Sequence, residues 1–262
     1  MSSEILSAEK VVLTYDGMNR PALQSVSLSI EKGISLGIVG ESGSGKSSLA
    51  RCFLGLEKLT SGCVNYRGQD LRSFRPAEWK DFRRNVQMVF QDPYNSLNPR
   101  MTIGQTLAEV LHVHQLAAKD ENTKAVQSIL NQVGLSTEMA GRYPHELSGG
   151  QRQRVGIARA LALKPSVIIA DEPVSALDVS VQAQILNLLK QLITEANITL
   201  VLIAHDLAVV RYICPKIAVM KQGVVVEQGE TEQIINSPRD AYTQTLLAAV
   251  PDIDRLLTTG HL

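Results

Sequence analysis

The sequence predicts an α/β fold built on a parallel sheet, and three observations lead to this prediction. Between residues 166 and 206, two apolar segments of strand length flank a long amphipathic helical pattern, which is the order of a strand–helix–strand unit. The first forty residues hold short apolar segments separated by turns. Between these regions, residues near 103–163 follow a mostly helical pattern. We therefore expect an α/β core that is interrupted by a helical insertion of about sixty residues.

The N-terminal elements lead into a glycine-rich loop. Strands are predicted in KVVLTY, SVSLSI and ISLGIVG, with a hairpin-like break at EKG between the second and the third. After Gly40 comes the loop and then a helical pattern, KSSLARCFLGL, with Gly55 near its end. From Gln91 onwards, QDPYNSLNPRMT is rich in proline and asparagine and is predicted to be an exposed loop.

The C-terminal half supplies the alternation of strand and helix. SVIIAD is predicted to be a strand, SVQAQILNLLKQLITEA a long helix, and ITLVLIAHD a further strand. Beyond Arg239, AYTQTLLAAV is predicted to form a short helix. The longest apolar run of the chain, ITLVLIA, has the length of a buried strand.

The composition excludes several classes of protein. Lysine plus arginine and aspartate plus glutamate each number 26, so a zero net charge argues against a dominant electrostatic grip on nucleic acid or on an anionic membrane. Three scattered cysteines, Cys52, Cys63 and Cys214, favour neither a disulfide framework nor a structural zinc site. The N-terminus lacks the apolar region of a secretion signal, and no apolar run approaches the ~20 residues of a membrane span. We expect a cytosolic protein that reaches a membrane only through a partner.

The segment GESGSGKSS fits the phosphate-loop pattern G-x-x-x-x-G-K-[ST], between a predicted strand and a predicted helix. Glycines let several backbone N–H groups converge on phosphate oxygens. Lys46 is expected to reach the β- and γ-phosphates, and the Ser47 hydroxyl is expected to bind Mg²⁺. The predicted phosphate loop consists of Gly40, Glu41, Ser42, Gly43, Ser44, Gly45, Lys46, Ser47 and Ser48.

Polar side chains follow other predicted strands. Asp171 and Glu172 end VIIADE, where we expect Asp171 to act through Mg²⁺ and Glu172 to polarise an attacking water. His205 follows ITLVLIA at the sheet edge where ligands of parallel sheets collect, whereas the other four histidines are expected to be structural or exposed. Gln91 follows VQMVF as a neutral hydrogen-bonding group, which by itself is a weak signal. Tyr15 closes the first strand, where an aromatic ring either stacks on a purine or covers the edge of the core.

A second segment suited to binding an anion precedes a basic helical stretch. In HELSGGQRQRVGIARAL, a serine and two glycines stand at a helix start, where free N–H groups and the positive end of the helix dipole favour an anion. The residues Ser148, Gly149, Gly150 and Gln151 are therefore predicted to read a phosphate group.

Together these residues resemble the ATP-binding subunit of an ABC transporter over nearly the whole chain. The most specific piece is LSGGQ at residues 147–151, similar to the family's signature sequence, upstream of VIIADEP and SALD. The resemblance implies a P-loop NTPase fold: a RecA-like core, an N-terminal antiparallel β subdomain and an inserted α-helical signature subdomain. We expect a single domain, with the core at residues 1–91 and 164–238, the helical subdomain at 92–163 and a short tail at 239–262.

The resemblance also implies roles for the candidate residues. Two such domains pair head to tail, so that Ser148, Gly149 and Gly150 would read the γ-phosphate of an ATP held by the partner subunit. The implied roles are adenine stacking for Tyr15, sensing of magnesium and of the membrane partner for Gln91, magnesium binding for Asp171, catalytic base for Glu172, communication across the dimer for Asp178, and γ-phosphate switch for His205. Because all these positions match the family pattern, we expect a catalytically competent ATPase that uses ATP and Mg²⁺.

A narrower resemblance indicates the partners. VFQDPYNSLNPRMT and SPRDAYTQTLLAAVP are similar to the oligopeptide, dipeptide and nickel importer branch, especially its F-type ATPase. That branch implies two transmembrane permease subunits, a second ATPase subunit (a relative or another copy of this chain), an extracytoplasmic solute-binding protein, and a peripheral position on the cytoplasmic side of the cell membrane. No nucleic acid is expected as a partner. With no cysteine beyond Cys214, no iron–sulfur cluster is expected either.

Two other functions stay open at this point. One is a soluble ABC ATPase acting on ribosomes or DNA, which the single phosphate loop, compact insertion and zero net charge disfavour. The other is a nucleotide sensor without hydrolysis, which the presence of Glu172 and His205 disfavours.

Overall fold

The computed structural model describes residues 4–91, 96–116, 118, 121–175 and 177–249. Ten strands and nine α-helices are assigned in this part of the chain. The strands are β1 (Glu4–Leu13), β2 (Leu23–Glu31), β3 (Leu36–Val39), β4 (Ser61–Tyr66), β5 (Gln69–Asp70), β6 (Val86–Val89), β7 (Val167–Asp171), β8 (Thr199–Ala204), β9 (Lys216–Lys221) and β10 (Val224–Glu230). The helices are α1 (Lys46–Phe53), α2 (Pro76–Asn85), α3 (Ile103–Val113), α4 (Asn122–Gln132), α5 (Gly149–Leu161), α6 (Val179–Ala196), α7 (Leu207–Ile213), α8 (Thr231–Asn236) and α9 (Ala241–Ala248). Short 3₁₀ helices lie at Leu71–Ser73, Thr137–Gly141 and Pro144–Glu146.

An antiparallel sheet forms the N-terminal part of the fold, with strand order β2-β1-β4-β5. The hairpin predicted at EKG is wrong, because β2 pairs with β1 whereas β3 belongs to the second sheet. Gly33, with a φ of 79°, turns the chain from one sheet to the other. All four β3 residues are buried, so this strand has no solvent-facing side and is better suited to the centre of a parallel sheet.

The second sheet has the order β10-β9-β3-β8-β7-β6. Strand β3 pairs in parallel with β8 and β9, β7 pairs in parallel with β8 and β6, and β10 runs antiparallel to β9. The register places Val39 opposite Ala204, and Asp171 opposite Ile203. The carboxyl ends of β3, β6, β7 and β8 therefore meet at one edge of the sheet, which confirms the predicted α/β class with a parallel core.

Alternate residues of the central strands enter two different cores. In β8, Val201 and Ile203 pack with the antiparallel sheet and α1, while Leu200 and Leu202 pack with the inserted helices and α6. Such a period of two is what a strand buried on both faces requires. The parallel sheet is thus the middle layer, with an apolar cluster packed on each of its faces.

The helical insertion was predicted from its periodicity, and the structure confirms it as α3, α4 and α5. Helix α3 begins at a capping box, in which Thr102 Oγ1 accepts from the N–H of Gln105 and Gln105 Oε1 accepts from the N–H of Thr102. Its buried side chains pack with those of α4 and α5 in one apolar cluster. In the described part of the chain, no helix combines the length and the apolar character that crossing a membrane demands.

Several predictions rest on residues partly outside the described ranges. Residues 92–95 of the QDPYNSLNPRMT segment, Ala176 of SALD and residues 250–262 of the tail lie outside them. The described part of the tail forms α9, as predicted. Strands β4, β5, β9 and β10 and helices α2, α7 and α8 were not anticipated.

Candidate functional site

The phosphate loop connects the carboxyl end of β3 to α1. Gly40, Gly43 and Gly45 have φ values of 152°, 79° and 104°, a range that residues with a Cβ rarely adopt. A Cβ on Gly40 would lie 2.2 Å from the carbonyl oxygen of Met220 on β9. The glycines are therefore required by the backbone conformation of the loop and by the close approach of β9.

The Lys46 side chain is folded back onto its own loop. Its Nζ atom donates to the carbonyl oxygens of Gly40 at 2.7 Å and Glu41 at 2.9 Å. The side chain is buried, and desolvation lowers the pKa of Lys46, while the nearby carboxylates of Glu172 and Asp171 act in the opposite direction. An ammonium group held in a partly desolvated loop is well placed to attract anionic oxygens.

The loop also holds a polar atom that lacks a partner. Ser44 Oγ is buried and has no hydrogen bond to any described residue. A buried hydroxyl without a partner costs free energy, so a ligand, an ion or a water that bonds to it is favoured. Together with the glycine backbone and Lys46, this hydroxyl makes the loop suitable for a nucleotide's phosphates.

A serine and an aspartate that were predicted to serve magnesium meet beside the loop. Ser47 Oγ donates to Asp171 Oδ1 at 3.1 Å, which joins the start of α1 to the end of β7. Burial raises the pKa of Asp171, while the hydrogen bond from Ser47 acts to lower it. Among the described residues, no group of three or more His, Cys, Asp and Glu side chains could hold a metal. Mg²⁺ does not need such a group, because it is usually bound by one or two protein oxygens plus waters and phosphates.

Two of the three predicted catalytic residues converge on the carboxylate of the third. Gln91 Nε2 donates to Glu172 Oε2 at 3.2 Å, and His205 Nδ1 lies 3.4 Å from the same oxygen. Ser175 joins this group, because its Oγ donates to the Glu172 carbonyl at 3.1 Å and lies 3.4 Å from Gln91 Nε2. Sequence reasoning did not assign Ser175 to the site, since a serine in a turn carries no signal of its own.

The backbone of Glu172 is unusual for a residue with a side chain. Its φ of 45° is in the left-handed region, and its N–H donates to the carbonyl of Ile203 at 2.9 Å. A left-handed glutamate costs of order 1 kcal/mol and persists only where surrounding contacts fix it. This backbone conformation places the carboxylate of Glu172 at the sheet edge, between the ends of β6 and β8.

Tyr15 lies two residues beyond β1, so the prediction that it closes this strand is slightly wrong. Its hydroxyl lies 3.1 Å from Ser48 Oγ and 3.3 Å from Glu57 Oε1, and its ring packs at the edge of the core formed with the antiparallel sheet. The aromatic therefore covers the core edge, one of the two alternatives, while adenine stacking stays a prediction.

The signature residues begin α5 with a capping box. Ser148 Oγ accepts from the N–H of Gln151, and Gln151 Oε1 accepts from the N–H of Ser148. Ser148 is exposed, and a Cβ on Gly150 would lie 2.5 Å from Val181 Cγ1 on α6. The side-chain cap and the tight contact with α6 leave the N-terminus of α5 facing solvent.

Asp178 stands at the start of α6, where its carbonyl accepts from the N–H groups of Val181 and Gln182. Its side chain is exposed and makes no capping hydrogen bond with the described residues. The phosphate loop, Asp171, Glu172, Gln91 and His205 are thus joined through direct contacts, whereas the signature residues and Asp178 lie on the helical side of the fold.

One contact to the loop has no counterpart in the sequence reasoning. The hydroxyl of Tyr242 on α9 accepts from the N–H of Glu41 at 3.0 Å. The two residues are 201 positions apart, so no local pattern could have revealed the pair.

Comparison with protein-family models gives two matches. Residues 23–175 match the model described as "ABC transporter". Residues 226–261 match the model described as "Oligopeptide/dipeptide transporter, C-terminal region".

Curated proteins similar to this chain are named as ATP-binding proteins of oligopeptide or dipeptide transport. It is 50% identical to the oligopeptide transport ATP-binding protein OppF of Escherichia coli over 88% of this chain and 69% of that protein. It is 49% identical to the oligopeptide transport ATP-binding protein AppF of Bacillus subtilis over 88% of this chain and 70% of that protein. It is also 49% identical to the dipeptide transport ATP-binding protein DppF of E. coli over 92% of this chain and 74% of that protein.

Solved structures agree with the fold. A dimeric post-hydrolysis state of the ATP-binding cassette MJ0796, bound to ADP and Pi, has a TM-score of 0.78 at 34% identity, covering 87% of this chain and 99% of that one. CbiO1 from Clostridium perfringens, part of the ABC transporter complex cbiONQ, has a TM-score of 0.79 at 28% identity, covering 98% of this chain and 99% of that one. The architecture predicted from the sequence is confirmed.

Proposed function

The chain belongs to the ABC transporter family as an ATP-hydrolysing subunit, and from that premise we propose that it powers the uptake of peptides or a related small solute. The site observation that carries this proposal is the Glu172 carboxylate, which Gln91 and His205 both contact beside the phosphate loop. The relatives and the matched C-terminal region support peptides as the cargo class. The comparisons give no support to an ATPase that acts on ribosomes or DNA.

Binding of the nucleotide uses the loop between β3 and α1. The backbone N–H groups at the start of α1 and the Ser44 hydroxyl would donate hydrogen bonds to phosphate oxygens. Lys46 would keep the Gly40 carbonyl as a partner and direct its other N–H donors to oxygens of the β- and γ-phosphates. Tyr15 would stack on the adenine with the face of its ring.

Ser47 and Asp171 would hold Mg²⁺, which when bound neutralises charge on the phosphate oxygens. Their direct hydrogen bond of 3.1 Å shows that both oxygens already point to one place. Ser47 would bind the ion through its hydroxyl, and Asp171 would act in the shell around it. Gln91, at the end of β6, would hydrogen-bond to this shell.

Hydrolysis needs a base for the attacking water and a group that hydrogen-bonds to the γ-phosphate. Glu172 would take a proton from the attacking water, because its carboxylate is the acceptor at which Gln91 and His205 meet. His205 would donate to the γ-phosphate through one ring nitrogen while the other faces Glu172. Both steps require the carboxyl ends of β7 and β8 to stay adjacent, which their parallel pairing ensures.

A complete site would need a second ATPase subunit. Ser148 is exposed and Gly149 and Gly150 are partly exposed, and we assign this helix start to the γ-phosphate of a nucleotide held by the partner. Asp178 would communicate across the same contact. The two subunits would bind each other weakly without a nucleotide between them. Closure of the dimer would therefore depend on ATP binding, and its opening would follow ATP hydrolysis.

An apolar groove next to Gln91 suits a membrane subunit. The groove has a volume of about 450 Å³ and lies between α2, β6 and α3. Leu56, Phe90 and Val113 line it and are 64%, 41% and 62% exposed. Because Phe90 immediately precedes Gln91, a cytoplasmic segment of a permease seated here would sense the state of the site. This would place the chain at the cytoplasmic face of the membrane.

The test is a pull-down of the tagged Glu172→Gln variant from detergent-solubilised native membranes with Mg-ATP, followed by mass spectrometry. We expect two multi-span proteins and a second ATPase, together with a solute-binding protein in the assembled system. Adding Val113→Glu should abolish recovery of the multi-span proteins, while Val224→Glu on the edge strand β10 should not. Recovery of ribosomal or DNA-bound proteins without a membrane subunit would overturn transport while leaving the ATPase chemistry in place.

A further inference from the structure

The peptide unit between Gly40 and Glu41 is held at both ends by side chains from opposite parts of the chain. Its carbonyl oxygen accepts from Lys46 Nζ at 2.7 Å, and its N–H donates to the hydroxyl of Tyr242 at 3.0 Å. An N–H that is already hydrogen-bonded polarises its peptide and makes the carbonyl oxygen a better acceptor. The hydrogen bond to Tyr242 therefore strengthens the hydrogen bond from Lys46 to the same peptide unit.

This peptide unit needs an external support. Gly40 has a φ of 152°, and the carbonyl of Met220 blocks any side chain there, so the conformation is open to glycine alone. Glycine is also the residue with the most conformational freedom to lose. The next carbonyl, that of Glu41, accepts from Lys46 and from the N–H of Ser44, which closes the loop.

Tyr242 is itself fixed in place. It is buried, and Lys221 Nζ lies 4.6 Å from the centre of its ring. Asp240 Oδ1 accepts from the N–H of Tyr242, which caps α9. Glu227 on β10 accepts from the N–H groups of Arg239 and Asp240, which anchors the chain just before the helix.

We propose that Tyr242 is a positioning residue for the phosphate loop, and that through it the C-terminal segment sets the geometry of Lys46 for nucleotide binding. The hydroxyl holds the 40–41 peptide in the orientation that presents its carbonyl to the ammonium. Tyr242 lies within the stretch that matches the C-terminal region of oligopeptide and dipeptide transporters. Under this proposal, that region helps to position the phosphate loop. The inference rests on the nucleotide site assigned above and adds a residue to it.

The test compares Tyr242→Phe with Tyr212→Phe. Tyr212 is a matched control because its hydroxyl also makes a hydrogen bond, to Asn187, and Lys190 Nζ lies 4.0 Å from its ring centre, far along the chain from the loop. The measurement is the dissociation constant of Mg-ADP and of Mg-ATP for the full-length purified chain, by isothermal titration calorimetry. We expect Tyr242→Phe to weaken both about three- to tenfold, the scale of one hydrogen bond, and Tyr212→Phe to leave both unchanged.

A double-mutant cycle separates positioning from packing. In a Lys46→Met background, Tyr242→Phe should change the affinity less than about 1.5-fold, because the group it positions has gone. Equal losses in both backgrounds, or unchanged affinity in Tyr242→Phe, would overturn the proposal. Failure of the wild-type chain to bind Mg-ADP would instead contradict the nucleotide site itself, so the two failures are distinguishable.

Discussion

The Nδ1 atom of His205 lies 3.4 Å from the Oε2 atom of Glu172. The parallel pairing of β7 with β8 explains this contact, because it sets Asp171 opposite Ile203 and brings the residues after each strand together. The left-handed backbone of Glu172 then turns its side chain along the sheet edge. With Glu172 as the proposed base, this contact would let His205 and the base respond together to the γ-phosphate.

The first prediction concerns Glu172→Gln. The amide keeps the shape of the side chain but cannot take a proton, so kcat for ATP should fall at least about 100-fold. The dissociation constant of Mg-ATP should stay within about twofold of wild type, and the variant should accumulate as a nucleotide-bound dimer in size-exclusion chromatography. The control is Glu195→Gln, an exposed carboxylate on α6. Hydrolysis at the wild-type rate would show that another group is the base.

The second prediction concerns Asp171→Asn and pH. Burial raises the pKa of Asp171, so its charged form costs free energy of folding at neutral pH and this cost disappears as the pH falls through the raised pKa. The uncharged variant should therefore unfold about 1–4 °C higher at about pH 7.5, and its advantage should shrink towards about pH 4.5. Thermal unfolding by circular dichroism without nucleotide measures this difference.

The same variant should bind Mg-ADP more weakly, because it lacks the charge that we assign to Mg²⁺ binding. Asp16→Asn is the control, since this carboxylate is exposed beyond β1 and should alter neither the unfolding midpoint nor nucleotide binding. A variant that is less stable than wild type at neutral pH would contradict the assignment of desolvation as the dominant effect. In that case the Asp171 carboxylate would favour both folding and nucleotide binding.

The parts of the site that the sequence predicted are local in the chain. The phosphate loop shows its glycines, Lys46 and Ser47 within nine residues, and Asp171 and Glu172 directly follow a continuous apolar strand. Ends of parallel strands meet at one edge of the sheet, so His205 could be predicted at that edge without knowing the strand order. Gln91 was by itself a weak signal, and the structure supplies its contact with Glu172.

The parts that the sequence did not predict depend on long-range packing. Tyr242 reaches Glu41 only because β9 and β10 bring the C-terminal segment back beside β3. The EKG turn looked like a hairpin because a short polar turn between strands does not specify which strand is the partner. The separation of β2 from β3 follows from the complete burial of β3, which only the assembled sheet shows.

The third prediction concerns the three cysteines. Burial raises the pKa of Cys52 to about 12 and raises the pKa of Cys214, and both thiols are buried, whereas Cys63 on β4 is partly exposed. Desolvation also raises the pKa of Cys63, but its thiol is the accessible one of the three, so Cys63 should be the first to react with iodoacetamide in the native chain. Intact-mass spectrometry should show one adduct under native conditions and three in denaturant. A Cys63→Ser variant that still gains one native adduct would contradict this order.

The fourth prediction concerns Gly150→Ala. A Cβ at this position would lie 2.5 Å from Val181 Cγ1, so the methyl group should overpack the contact between α5 and α6 and destabilise the protein by about 1–3 kcal/mol. Adding Val181→Ala removes the opposing methyl groups and should restore most of the unfolding midpoint.

Activity of the double variant then distinguishes the two roles of this glycine. If Gly150 serves packing alone, ATPase activity should return with stability. If the methyl group also obstructs the approach of the partner's nucleotide to the exposed helix start, activity should stay low although the fold has recovered. Because we assign this helix start to the γ-phosphate, we expect the second result, with nucleotide affinity of the isolated chain unchanged. A full return of activity would remove Gly150 from the dimer contact and leave Ser148 and Gly149 to form it.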